Sequence, residues 1–256
     1  MKLADSVFLV TGGSSGLGAA VVRMALAAGA RVVIADLAEP DESDLLPEWK
    51  ERWTYVHTDV AQEASAITAV QIAIGRFHRL DVLVNSAGIA RAEKIHGKEG
   101  PHRLSVFAKT IEVNLIGSFN MMRLAVPAFV ASGALPDSSS KGVIINTASI
   151  AAFDGQIGQT AYAASKGGIV AMTLPAAREL ARDKVRVMTI APGIFETPML
   201  KGMPQEVQDA LAAGIPHPSR LGKPSEYADL VRHIVENEYL NGEVIRLDGA
   251  IRLAPR

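Results

Sequence analysis

Seven short runs of apolar, largely β-branched residues recur along the chain, and nothing else in it constrains the fold as much. They are SVFLVTG (6–12), RVVIAD (31–36), WTYVHTD (53–59), LDVLVN (80–85), GVIINTAS (142–149), VRVMTI (185–190) and GEVIRLD (242–248). Each is apolar almost throughout rather than at alternate positions, the mark of strands buried on both faces. Between them lie Ala-rich stretches of helical period near 17–29, 61–77, 103–132, 160–182 and 224–238. Strand, helix, strand in alternation predicts a mostly parallel, seven-stranded sheet with helices on both faces, the doubly wound (Rossmann) α/β architecture. No Gly/Ser/Pro-rich tract divides residues 1–256, so one domain is expected. Two irregular regions remain, 89–102 and 191–223.

Composition removes several function classes. Lys plus Arg number 26 against 27 Asp plus Glu, for a net charge of −1, with no long block of one sign. Nothing in that balance calls for a nucleic-acid partner. Without cysteine there is no disulfide, thiolate ligand or thiol nucleophile, so a cytoplasmic setting is expected, with an organelle matrix as the alternative. Asp5 interrupts any apolar leader, and no stretch approaches the ~18 uncharged apolar residues of a membrane span. The six histidines show no paired-ligand spacing, so no metal is expected.

The first run ends in Thr11-Gly12-Gly13-Ser14-Ser15-Gly16-Leu17-Gly18 and leads directly into a helical pattern. Glycines placed so let the backbone turn tightly, approach a pyrophosphate and present a helix N-terminus to it. Asp36 closes the second run 18 residues beyond Gly18, where a carboxylate can accept hydrogen bonds from a ribose. The same letters satisfy the G-x-S-x-G elbow of hydrolases around Ser14. Such an elbow needs several strands before it, and only one precedes Ser14. A carboxylate at 36 suits the free 2′-hydroxyl of NAD and repels the added phosphate of NADP. Ser15 and Leu37 occupy the places where a neutralising cation would sit, so NAD is the expected cofactor.

Tyr162 and Lys166 stand four apart in TAYAASKGG and share a helical face, while Ser149 closes the fifth run. A phenol of ordinary pKa ~10 is a poor base at neutral pH unless a neighbouring cation favours the phenolate. Lys166 supplies that charge, and Ser149 supplies a hydroxyl to hold a reacting oxygen. The set suits proton exchange with an alcohol while hydride moves to or from a nicotinamide.

With these residues in place, the chain resembles the short-chain dehydrogenase/reductase family along its whole length. Gly12, Ser14, Ser15, Gly16, Leu17 and Gly18 fall in the family's TGxxxGxG loop. Asp59-Val60 match its Asp-Val pair beside the adenine, and Asn85-Ser86-Ala87-Gly88 match its NNAG motif with Ser86 in place of the second Asn. Asn114, Ser149, Tyr162 and Lys166 match the catalytic tetrad; Pro192, Gly193 and Thr197 match the segment at the nicotinamide carboxamide. The stretches 158–181, 185–200, 218–231 and 241–252 further resemble the type-two 3-hydroxyacyl-CoA dehydrogenases. That resemblance implies a 3-hydroxyacyl-CoA thioester as substrate, an insertion within 89–102 and a homotetramer. Reduction of 3-oxoacyl thioesters on acyl-carrier protein, oxidation of hydroxysteroids and a non-catalytic NAD-binding role are the alternatives. The candidate substrate contacts are Ser149, Gln159, Tyr162, Phe195, Met199 and Leu200. Met203, Leu211 and Ile215 extend them as an apolar lid, and Arg91, Lys94, Lys98 and Arg103 are candidates to face the CoA phosphates.

Overall fold

All seven apolar runs fold as strands in a computed structural model that describes residues 1–98, 100–201 and 204–255. They are β1 (Val7–Thr11), β2 (Arg31–Asp36), β3 (Trp53–His57), β4 (Val82–Asn85), β7 (Gly142–Thr147), β8 (Val185–Pro192) and β9 (Val244–Leu247), with a small hairpin, β5 (His96–Gly97) and β6 (Gly100–Pro101), inserted after β4. Every residue of β1, β4, β7 and β8 is buried, which explains why these runs carry no polar alternation. Each of their Leu, Ile and Val side chains removed from water contributes about 1.5–3 kcal/mol.

The sheet runs β3-β2-β1-β4-β7-β8-β9, parallel at every pairing. Its winding reverses between β1 and β4, and such a switch point opens a crevice at the C-terminal strand ends. Helices α1 (Gly16–Ala27) and α8 (Pro224–Glu236) cover one face. Helices α2 (Glu63–Phe77), α4 (Gly117–Ser132) and α5 (Thr160–Leu180) cover the other.

The helix expected over 103–132 is not uniform. It consists of α3 (Leu104–Ile111), a π-helical turn over Glu112–Ile116, and α4. Together Leu104–Ser132 reach the length and mean hydropathy of a membrane span, 1.3. Lys109, Glu112 and Arg123 interrupt the stretch, and Met121, Ala125 and Phe129 are buried against the sheet, so its apolarity is that of a core helix. The irregular stretch 191–223 contains the last residues of β8 and the short helices α6 (Pro198–Lys201) and α7 (Gln205–Ala213).

Candidate active site

A cleft of about 700 Å³ lies over the C-terminal ends of β1, β4, β7 and β8. Along one side runs the glycine loop. Thr11 Oγ1 accepts the Ser86 and Ala87 N–H groups at 3.1 and 3.2 Å, stitching the loop after β4 to the end of β1. Gly12 and Gly16 adopt φ of +64° and +54°. A Cβ on Gly18 would stand 2.1 Å from the Gly12 carbonyl oxygen, so only glycine lets α1 begin so close to the strand. Ser15 precedes α1 without a side-chain cap, which leaves the first helical N–H groups open to the cleft.

Asp36 lines the same cleft. Its Oδ2 accepts the Ser14 N–H at 3.0 Å and its Oδ1 the Leu37 N–H at 2.7 Å. Ser14 is thereby turned away from the cleft, its hydroxyl donating to the Ala38 carbonyl at 2.7 Å. Gly18 and Asn85 also stand behind the lining: Asn85 donates to the Ser118 carbonyl and to Asn146 Oδ1, joining β4 to β7 beneath the site. Gly12, Ser15, Gly16, Leu17, Asp59, Val60, Ala87, Gly88, Pro192, Gly193 and Thr197 all line it. Uncapped helix, glycine cradle and carboxylate together fit a dinucleotide.

The candidate proton-handling groups converge from three elements. Ser149 begins a single 3₁₀ turn after β7 and accepts the Ala151 N–H at 3.1 Å, while Tyr162, on α5, hydrogen-bonds with Ser149. One helical turn on, Lys166 is 5 % exposed; its Nζ lies 5.7 Å from the Tyr162 ring centre and donates to the Thr147 carbonyl at 2.7 Å. Asn114, fully buried in the π turn, accepts the Ile89 N–H at 2.8 Å and donates to the Ile89 carbonyl and Ser165 Oγ. It does not touch the cleft and reaches it through Ile89. A Cβ on Gly88 would meet Asn114 Oδ1 at 3.2 Å and Lys166 Nζ at 3.6 Å, so this glycine brings the loop after β4 against both. Burial disfavours charge on both titratable members: it holds the Lys166 ammonium down to about 8 and pushes the Tyr162 phenol up, the Ser149 hydrogen bond pulling the latter back in part. Additional positive charge in the cleft acts on the phenol in the opposite sense, toward phenolate.

Beyond Ser149 the wall is apolar. Ile150, Ile194, Leu200, Leu211 and Leu253 line it, and Phe195 and Gln159 border it with Gln156. Ile215 packs behind Leu200 without reaching the cleft. The Met199 side chain and Met203 lie outside the described residues. Of the four cations considered for CoA, only Arg91 lines the cleft. Arg103 instead bonds Glu93 through its backbone and guanidinium, at 2.7 to 3.3 Å, because the two residues face each other across the base of the β5–β6 hairpin. Lys109, Gln156 and Leu253 are lining residues that sequence reasoning missed. Lys109 comes from a helix read only for its apolar face, and Leu253 follows the last strand with no periodic signal.

A family model of the short chain dehydrogenases matches residues 6–208. The chain belongs to the short-chain dehydrogenase family. This dehydrogenase is 50% identical over 251 residues, 97% of its length and 96% of the relative's, to a 3-hydroxyacyl-CoA dehydrogenase type-2 of Bos taurus. It is 34% identical over 260 residues, 98% of its length and 99% of the relative's, to a 3-oxoacyl-[acyl-carrier-protein] reductase of Thermotoga maritima. The crystal structure of a 3-hydroxyacyl-CoA dehydrogenase type-2 from Mycobacterium avium superimposes with a TM-score of 0.91 at 41% identity, covering 98% of this dehydrogenase and 97% of that chain. The enzyme is an oxidoreductase.

Proposed function

We propose that this dehydrogenase oxidises the 3-hydroxyl group of a short 3-hydroxyacyl-CoA with NAD, and reduces the 3-ketone in reverse. The observation that carries the reading is the Ser149–Tyr162–Lys166 set opening onto an apolar wall with Arg91 in the same cleft, where an acyl thioester and its phosphates find both kinds of contact. Half-identity to type-2 enzymes over nearly the whole chain supports it.

In oxidation, Ser149 Oγ holds the substrate oxygen while Tyr162, as phenolate, takes the hydroxyl proton. NAD, when bound, supplies the acceptor for the hydride leaving the same carbon. Lys166, fixed by the Thr147 carbonyl, keeps its positive charge beside the ring and lowers the cost of the phenolate. Asn114 holds the Ile89 backbone on both its N–H and carbonyl, and so keeps the loop after β4 at the site. Asp36 accepts three backbone N–H groups and, with about four lone-pair sites, retains acceptor capacity for a ribose hydroxyl, and it faces a 2′-phosphate with like charge.

We also infer self-association as a homotetramer, for which exposed Ile116, Phe119 and Leu174 supply apolar surface, in a cytoplasmic or organelle-matrix setting that a cysteine-free chain suits. Light scattering reads the molar mass directly. The deciding experiment for the reaction is a panel of hydroxyacyl-CoAs, hydroxysteroids and simple secondary alcohols with NAD, followed by NADH absorbance. Hydroxyacyl-CoAs are expected to lead by kcat/KM; preference for any other class overturns the assignment.

A further inference from the structure

We propose that residues 251–255 act as a strap closing the far wall of the substrate slot, and that Leu253 in this strap sets the longest acyl chain accepted. The proposal rests on the acyl reading above and adds the element that measures chain length.

Three observations carry it. Leu253 lines the cleft and packs with the apolar cluster of Ile150, Leu200 and Ile215, in which Ile251 is 5 % exposed. Ile150 directly follows Ser149, so a substrate whose reacting oxygen is held at Ser149 finds its apolar path along Ile150 toward Leu253. Finally, the strap has no strand or helix of its own, yet it is tied at several points to the segment between Ser149 and Tyr162. The Ile157 N–H donates to the Pro255 carbonyl and Gln156 Nε2 to the Ala254 carbonyl, both at 3.0 Å. Arg246 bridges Asp154 at 2.6 Å and Asp248 at 2.7 Å, and donates to the Ile251 carbonyl at 3.2 Å. A segment held at one end by the Ile157 N–H and the Gln156 side chain and at the other by a guanidinium clamp is a fixed wall, and fixed walls discriminate length because an added methylene has nowhere to go.

The test compares kcat/KM for eight-carbon and four-carbon substrates in two parallel series, 3-hydroxyacyl-CoAs and plain 2-alkanols. Leu253→Ala should raise the eight-to-four ratio about tenfold and Leu253→Phe should lower it about tenfold, the low end of what one methylene is worth in an apolar pocket. Opposite shifts in the two variants cannot come from a damaged fold, which depresses both lengths together. Gln156→Ala, which loosens the strap, should move the ratio in the direction of Leu253→Ala by a smaller factor. Ratios within twofold of the wild type in both Leu253 variants would overturn the proposal. If the wild type oxidises 2-alkanols but no hydroxyacyl-CoA, the CoA assignment fails while the alkanol series still reads Leu253. Turnover of neither series would overturn both.

Discussion

The two sides of the cleft are built differently. The nucleotide side is built around residues near each other in sequence, Thr11 to Gly18 and Asp36, to which Asp59, Ala87, Gly88 and Pro192–Gly193 are added from later strand ends, and it is held by backbone N–H groups such as those of Ser14 and Leu37 donating to the Asp36 carboxylate. The substrate side draws Ile150, Leu200, Leu211 and Leu253 from four separate segments, held by side-chain packing and a few long-range ties. A site made of backbone tolerates few substitutions at its glycines, because a Cβ at Gly18 has no room at all. A site made of packed apolar side chains tolerates exchange at modest cost and re-tunes instead of failing. Ser149, Tyr162 and Lys166, the proposed proton-handling residues, lie where the two meet.

Tyr162→Phe should have the largest effect, lowering kcat by about 10²- to 10⁴-fold, the usual worth of general acid–base catalysis, while cofactor binding measured by fluorescence titration survives. Most of the turnover remaining would show that the junction of the two sides is not where the proton moves. Next comes the nucleotide side by itself. NAD should be preferred over NADP by at least about 100-fold in kcat/KM, a difference of ~2.7 kcal/mol, and Asp36→Ser should narrow that ratio. Equal use of the two cofactors by the wild type would contradict the role of the Asp36 carboxylate.

Lys166→Met should act through pH. Removing a cation beside the phenol disfavours phenolate and raises its pKa, so the acid limb of alcohol oxidation should move to higher pH by about one unit or more, tenfold in rate at a fixed pH on that limb. An unmoved limb with lower kcat would assign Lys166 a positioning role only. The smallest effect belongs to the substrate side. Arg91→Ala should raise KM for 3-hydroxybutyryl-CoA about two- to fivefold with little change in kcat, the 0.2–1 kcal/mol of an exposed charge contact. Added salt should mimic it and small alcohols should not register it. Lys94→Ala, outside the cleft lining, is the matched control.

Much of this molecule was legible before any fold was known. The seven strands announce themselves because strands buried on both faces favour apolar residues at successive positions instead of alternate ones; β1, β4, β7 and β8 are buried throughout, and polar residues in them such as Asn146, Arg186 and Thr189 are hydrogen-bonded. Asp36, Ser149, Tyr162 and Lys166 were legible because each sits at a strand end or on a helix at a spacing that the doubly wound topology converts into proximity. The π turn was not. Its letters, EVNLI, continue the apolar period of α3, and only the need to bury Asn114 against Ile89 and Ser165 exposes the break.

Local residue order thus determined everything that backbone geometry transmits along the chain: the parallel sheet, the glycine turn with its uncapped helix, the carboxylate after β2, and the Tyr–Lys face of α5. Contacts between segments far apart in sequence were decided only by tertiary structure. Arg103 turned to Glu93 instead of the cleft, Arg91 and Lys109 came to line it, Ser14 was taken up by Asp36 and Ala38, and Leu253 came to rest beside Leu200 across the tether from Gln156. The physical reason is the range of the forces involved. Backbone conformation and helical or strand period act over a few residues and leave a signature in the letters, whereas side-chain packing and ion pairing depend on distances that exist only once the chain has closed upon itself.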